Sequence, residues 1–346
     1  MRHLYTSACN GILHDFNFTC RVIDMSGVFN NAIRFNQPLA SWDTSAVRTM
    51  FNMFTSAGAF NQPIGTWNTS NVRDMSGMFS LAKSFNQPLD WDVSKVVSMW
   101  SMFWGASVFN QSLESWDTSA CTDMSGMFSY TNNFNQNIES WDVSNVVSMS
   151  SMFLGSQFNQ PLGMWDVSKL SDMSWMFFLS SFDQNIEDWD TSSVYNMRYA
   201  FQSSPFNQPL GKWDVGSVRD MSWMFYNTSF NQPINSWNTS QVTSMRSMFQ
   251  NAKEFDQDIG SWDTQQVKSM MDMFSNAASF NQSIVGWNTR NVLNMGGMFS
   301  NASSFGQNLS LWCVGSVEYY EDFAWNAPVG DSVALLPPFG TVENCI

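Results

Sequence analysis

Asp43, Asp92, Asp117, Asp142, Asp166, Asp190, Asp214 and Asp263 each stand directly after a tryptophan, and the same place holds Asn68, Asn238 and Asn288. Carboxylates brought into one row at a strand spacing of roughly 4.8 Å could share a hard cation such as calcium. The alternative role is backbone capping, which needs only an acceptor, and the free exchange of Asp for Asn favours it. The two histidines, His3 and His14, precede the repeated body, so His-assisted nucleophilic catalysis has no base there. No phosphate-binding glycine motif is present, and no metal site is expected because no close Cys/His cluster occurs. The expectation is a protein that is not an enzyme and needs no cofactor.

Five cysteines remain. Cys9 and Cys20 lie near one end, and Cys313 and Cys345 bracket the last segment. They are expected to form two disulfides that staple terminal caps, the pattern of an oxidising compartment. Cys121 falls within the repeat and is expected to be a buried free thiol. Among the N-glycosylation sequons, Asn17, Asn227 and Asn301 fall in loops or caps and are the acceptors expected in a secreting eukaryote.

The elements that position these residues are repeats. Trp42, Trp67, Trp91, Trp116, Trp141, Trp165, Trp189, Trp213, Trp237, Trp262, Trp287 and Trp312 recur at intervals of 24 or 25 residues. A Phe precedes each and is followed by Asn or Asp and then Gln, as in Phe60-Asn61-Gln62, except before Trp312, where Gly306 breaks the column. Five residues after the Trp there is usually a Val that opens an apolar run such as Val72, Met75, Met78 and Phe79. Offsets of 0, 3, 6 and 7 share a helical face, so this spacing predicts a short helix, with Ser70 or Ser144 supplying cap chemistry. The Phe-to-Trp stretch, short and rich in β-branched and aromatic residues, predicts a strand. The Thr and Val that alternate two places after each Trp follow strand propensity.

One strand and one helix per turn define a leucine-rich-repeat-like solenoid of about twelve turns with a parallel sheet. The expected divisions are an N-terminal cap over 1–24, the solenoid over 25–312 and a C-terminal cap over 313–346. Phe, Trp and Met columns would fill its core, and the Asn and Gln after each Phe would bond to backbone and to the next turn.

With 15 Lys plus Arg against 29 Asp plus Glu, the formal charge is -14, and nucleic acid is excluded as a partner on electrostatic grounds. No apolar run approaches the roughly 20 residues that cross a bilayer, so no membrane span is expected. Four tryptophans outside the regular column, Trp100, Trp104, Trp175 and Trp223, are either binding anchors on an exposed face or extra packing against the helix.

The segment "FNQPINSWNTSQVTSMRSMF" (230–249) resembles the repeat of BspA-like leucine-rich repeat surface proteins, including the mycoplasma-type surface lipoprotein repeat. The resemblance covers residues 21 to 325. It departs at "RYAF" (198–201), where Ala200 replaces Met, and at Cys313, which takes the Asp position. It implies a secreted or cell-surface solenoid that adheres to protein or glycan, without catalytic residues. The competing expectation is a structural subunit of a coat or extracellular filament, built by self-association of solenoids.

Overall fold

Where the backbone N–H groups go decides the architecture. A computed structural model describes residues 22–340. The chain falls into two compact units that divide between Pro161 and Leu162, and each is a stack of one coil type. In the first unit Met75, Gly77, Phe79 and Leu81 donate to the carbonyls of Ser98, Trp100, Met102 and Trp104 on the next coil, at 2.6–3.1 Å. The residues between them behave differently: Met78, Ser80 and Ala82 donate to the carbonyls three places back. Gly77 and Leu81 have φ of 63° and 57°, the left-handed region that the third residue of a type II turn requires.

The helix expected from Val72, Met75, Met78 and Phe79 therefore does not form. Among the described residues the only helical element is a 3-10 turn, Pro328–Asp331. A left-handed residue at every fourth place stops the i→i−4 ladder, and half of the N–H groups turn outward to the neighbouring coil. The spacing of three that suggests a helix comes from successive i→i−3 turns, which also return residues three apart to one side. Asp142 accepts the Ser144 N–H at 3.0 Å, the backbone-capping role weighed for its column, but at a turn and not at a helix start.

The parallel ladder lies in this same segment and not in the Phe-to-Trp stretch. Single-residue bridges join Asp24, Thr49, Asp74, Ser98, Asp123 and Ser148 in the first unit. In the second unit they join Asp172, Asn196, Asp220, Ser244, Ser269, Asn294 and Tyr319. Left-handed residues interrupt the extended backbone so often that the pairing never lengthens into a named strand.

The core is built of columns. Phe54 stacks on Phe60 of its own coil at 4.0 Å and on Phe79 of the next at 5.7 Å. Trp67 stacks on Trp91 at 6.4 Å and donates its Nε1–H to the Leu39 carbonyl of the preceding coil at 3.0 Å. The second unit repeats this, with Trp237 donating to Leu210 at 2.9 Å. Each fully buried Phe or Met stabilises by roughly 1.5–3 kcal/mol, but only when neighbouring coils cover it. Cys121 is fully buried in the Val column, with burial pushing its thiol up to about 12.

The second unit closes over its last coils. Val329 donates to the Phe305 carbonyl at 3.0 Å and Leu309 to that of Leu335 at 2.8 Å. Phe339 packs on Tyr320 and Phe323, and Phe323 meets the edge of Phe299. The ladder itself runs on to Tyr319, inside the span expected for the cap. Cys9, Cys20 and Cys345 lie outside the described residues, as does Asn17.

Candidate functional site

Three polar columns are absorbed by the scaffold. Asn61 Oδ1 accepts the Asn86 N–H at 2.9 Å and the Gln87 amide at 3.0 Å, and Asp183 does the same for Asn207 and Gln208. Asp43, Asp92, Asp117, Asp142, Asp166, Asp190, Asp214 and Asp263 each accept, through Oδ1, the backbone N–H two residues on. Asn68 and Asn238 do so too. The Ser94 hydroxyl, and then its N–H, hold the Asp92 carboxyl below the usual carboxylate range; Ser168 does this for Asp166. The threonine row is buried: Thr118 and Thr239 donate their hydroxyls to the Asp142 and Asp263 carbonyls of the next coil. Val at this place fills the same space without the bond.

The ladder segment is where side chains change from coil to coil. At the place of Ser76 stand Phe51, Trp100, Ser125 and Ser150 in the first unit; Ser174, Arg198, Ser222, Arg246, Met271, Gly296 and Glu321 occupy it in the second. At the left-handed place of Gly77 stand Ser101, Gly126 and Ser151, then Trp175, Tyr199, Trp223, Ser247 and Asp272. Ser76, Ser174, Ser222 and Ser247 are buried at these places while Phe51, Trp100 and Glu321 are exposed, so it is on this ladder face that the surface changes from coil to coil.

Two clusters stand out on it. In the first unit Trp100, which is 46% exposed, and Trp104 border a groove of about 250 Å³. Its other walls are Leu154 and the serines 101, 125, 129, 150 and 151. Tyr130 meets Trp104 edge-on at 6.2 Å. In the second unit Trp175 stacks on Tyr199 at 3.8 Å and Tyr199 on Trp223 at 4.8 Å. The Arg198 guanidinium lies 4.9 Å from the centroids of both Tyr199 and Trp223, and that of Arg246 lies 4.8 Å from Trp223. Trp175, Tyr199 and Trp223 have φ of 61°, 61° and 58°. Bulky residues rarely accept that backbone, so the coil geometry imposes it.

The four anchor tryptophans expected from sequence thus fall on the ladder segment, two in each unit. Arg198, Tyr199 and Arg246 were not among them. The signal that could have found the first two is the "RYAF" departure, where Ala200, fully buried, sits beside Arg198 and Tyr199. Further along the second unit, Asp272, Glu321 and Asp322 border a groove of about 330 Å³. Burial raises the Asp272 carboxyl, and Arg246 opposes that rise.

The comparisons with known proteins follow the repeat. Residues 1–90, 89–181, 155–244 and 227–331 match the family described as "Mycoplasma protein of unknown function, DUF285". The chain belongs to this family. No curated protein matches it. Among solved structures, the TLR13–ssRNA13 complex is 10% identical over 75% of this chain and 48% of that one, with a TM-score of 0.21. The plant peptide hormone receptor RGFR1 in complex with RGF2 is 9% identical over 82% and 52%, TM-score 0.19. The functional domain of InlJ from Listeria monocytogenes, which includes a cysteine ladder, is 7% identical over 79% and 66%, TM-score 0.17. The chain spans about half the length of the first two.

In this DUF285 member no group of three or more His, Cys, Asp or Glu that could hold a metal ion occurs among the described residues. No helix among them is long and apolar enough to cross a membrane. Of the sequons, Asn227 is exposed at a left-handed turn, and Asn301 is half-buried with its oxygen accepting the Asn326 amide at 2.9 Å.

Proposed function

We propose that this chain is a secreted or cell-surface, non-catalytic binding module that presents its ladder face to a protein or glycan, the activity that its resemblance to the BspA-like repeat implies. The observation that carries the reading is the contrast between columns. Buried Phe, Trp and Met repeat with little change, whereas the ladder face departs from Ser and Gly into tryptophan and arginine at particular coils. Trp, Tyr and Arg are the residues that dominate binding energies at interfaces. The leucine-rich-repeat-like architecture, disulfides Cys9–Cys20 and Cys313–Cys345, and glycosylation at Asn17, Asn227 and Asn301 belong to the same proposal.

The reading is tested by presenting the purified chain to arrays of immobilised glycans and extracellular proteins, alongside Trp104→Ala and Trp223→Ala. At least one variant should lose about tenfold in affinity for the captured ligand while keeping its thermal midpoint. Unchanged capture by both variants sinks the ladder face as the binding surface. Against the coat or filament alternative stands the pairing of residues 328–339 with Phe305 and Leu309, which occupies backbone groups of that coil, although Tyr319, Trp325 and Val333 stay exposed nearby.

A further inference from the structure

We infer that the Arg198–Trp223–Arg246 clamp of the second unit docks paired acidic side chains of a protein partner, an inference that rests on the ladder-face reading above. Both guanidiniums flank one indole, at 4.9 and 4.8 Å from its centroid. They project from coils on either side of the coil that carries Trp223, because Ser222 occupies their column between them. The cation–π contacts fix where the two positive charges sit. Neither arginine makes an ion pair among the described residues, and the buried Nε of each has no hydrogen-bond acceptor. Arg198 donates to the Tyr199 hydroxyl at 3.2 Å. Gln202, in the same coil as Arg198, also has a buried Oε1 without a partner.

In a chain of net charge -14 two guanidiniums gather here around one indole, with Asp272 the carboxyl on which Arg246 acts and no ion pair at either arginine among the described residues. Such forks recognise carboxylates by two parallel hydrogen bonds, which a lysine cannot reproduce. A saccharide fits less well. The ring faces that would stack on sugar are already taken by one another, at 3.8 Å between Trp175 and Tyr199 and 4.8 Å between Tyr199 and Trp223. The guanidiniums occupy what is left of Trp223. Arg198, Trp223 and Arg246 are half-buried, and the half-exposed Leu179 and Tyr195 stand in the coils of Trp175 and Arg198, a surface suited to a protein segment carrying carboxylates beside apolar groups. The negative field of the rest of the molecule would repel that segment elsewhere, so charge fixes its register.

The experiment uses the full chain and a labelled synthetic peptide with glutamate at alternate positions between valines, followed by fluorescence anisotropy. Its counterpart with every Glu replaced by Gln, a heparin-derived oligosaccharide and inorganic sulfate are the comparison arms. The expected result is saturable binding of the glutamate peptide, weakened about tenfold or more by the Glu-to-Gln exchange and by Arg198→Gln or Arg246→Gln. Arg246→Lys should lose most of the binding despite its charge, and Met164→Ala, at a residue that is 82% exposed and off the ladder segment, should lose none. If a Gln variant fails to fold, salt titration of the unaltered chain replaces it, with affinity falling steeply as salt rises. Equal binding of the two peptides, no saturable binding of the glutamate peptide, or binding of the oligosaccharide or sulfate alone overturns the proposal. A glycan captured in the array and lost on Trp223→Ala would then leave the binding-module reading standing while this inference fails.

Discussion

Asn207 holds two coils together through one oxygen, which accepts the Asn231 N–H at 2.9 Å and the Gln232 amide at 3.2 Å. Asp183 and Asp256 stand in the same column and accept the corresponding N–H groups, so the column needs an acceptor and not an amide. Asn207→Asp should therefore leave the urea midpoint nearly unchanged at neutral pH. Asn207→Leu strands two donors and should cost about 1–3 kcal/mol for each that stays unpaired. The Asp that follows each Trp predicts a pH effect. Asp92 is held below 3.8 in the folded chain, chiefly by the Ser94 hydroxyl, so its contribution to stability is complete above the unfolded value and is lost as pH falls through the lower folded value. Asp92→Asn keeps the acceptor, as Asn68 does, and should make acid unfolding below about pH 4 less steep. Cys121, buried with its thiol raised to about 12, should resist alkylation until the chain is unfolded.

At the scale of the coil, left-handed residues do the work that a helix was expected to do. Gly126 has φ of 64°, and a Cβ there would lie 2.9 Å from Ser101 Oγ. Gly126→Val should destabilise by about 1–3 kcal/mol, because a β-branched side chain at positive φ is strained. Melting curves of the variant would check this. Much of the fold was legible: Trp, Phe, Val and Met columns, Asn and Gln bonds between coils, and the buried thiol all follow from spacing. What misled was the run Val72, Met75, Met78, Phe79, since apolar spacing alone does not separate an α-helix from successive i→i−3 turns. The discriminating signal is Gly, Ser or Asn in many coils at two places four residues apart, one between the methionines and one after the Phe, as at Ser101 and Gly105. The site was legible only in part. Trp100, Trp104, Trp175 and Trp223 stand out by breaking the column, but Arg198 and Arg246 are two arginines 48 residues apart in the sequence, and only the coil register sets both against Trp223.

For the molecule as a whole, the covered end of the second unit predicts behaviour in solution. Truncation after Ala327 removes the residues that bond to Phe305 and Leu309, and it should lower the thermal midpoint and produce association that grows with concentration, read by analytical ultracentrifugation. The full chain should not show such growth. The central claim is that function resides on the ladder face. It is tested most directly by measuring affinity for the captured ligand across Trp100→Ala, Trp104→Ala, Trp223→Ala and Arg246→Gln, against Met164→Ala and Leu311→Ala. The last two residues are 82% and 79% exposed and lie immediately before the tryptophan column, off the ladder segment. Loss of about tenfold or more confined to one or more of the first four, with all six folded, is the predicted result. Equal loss at Met164 or Leu311, or no loss at any ladder-face position, would contradict it.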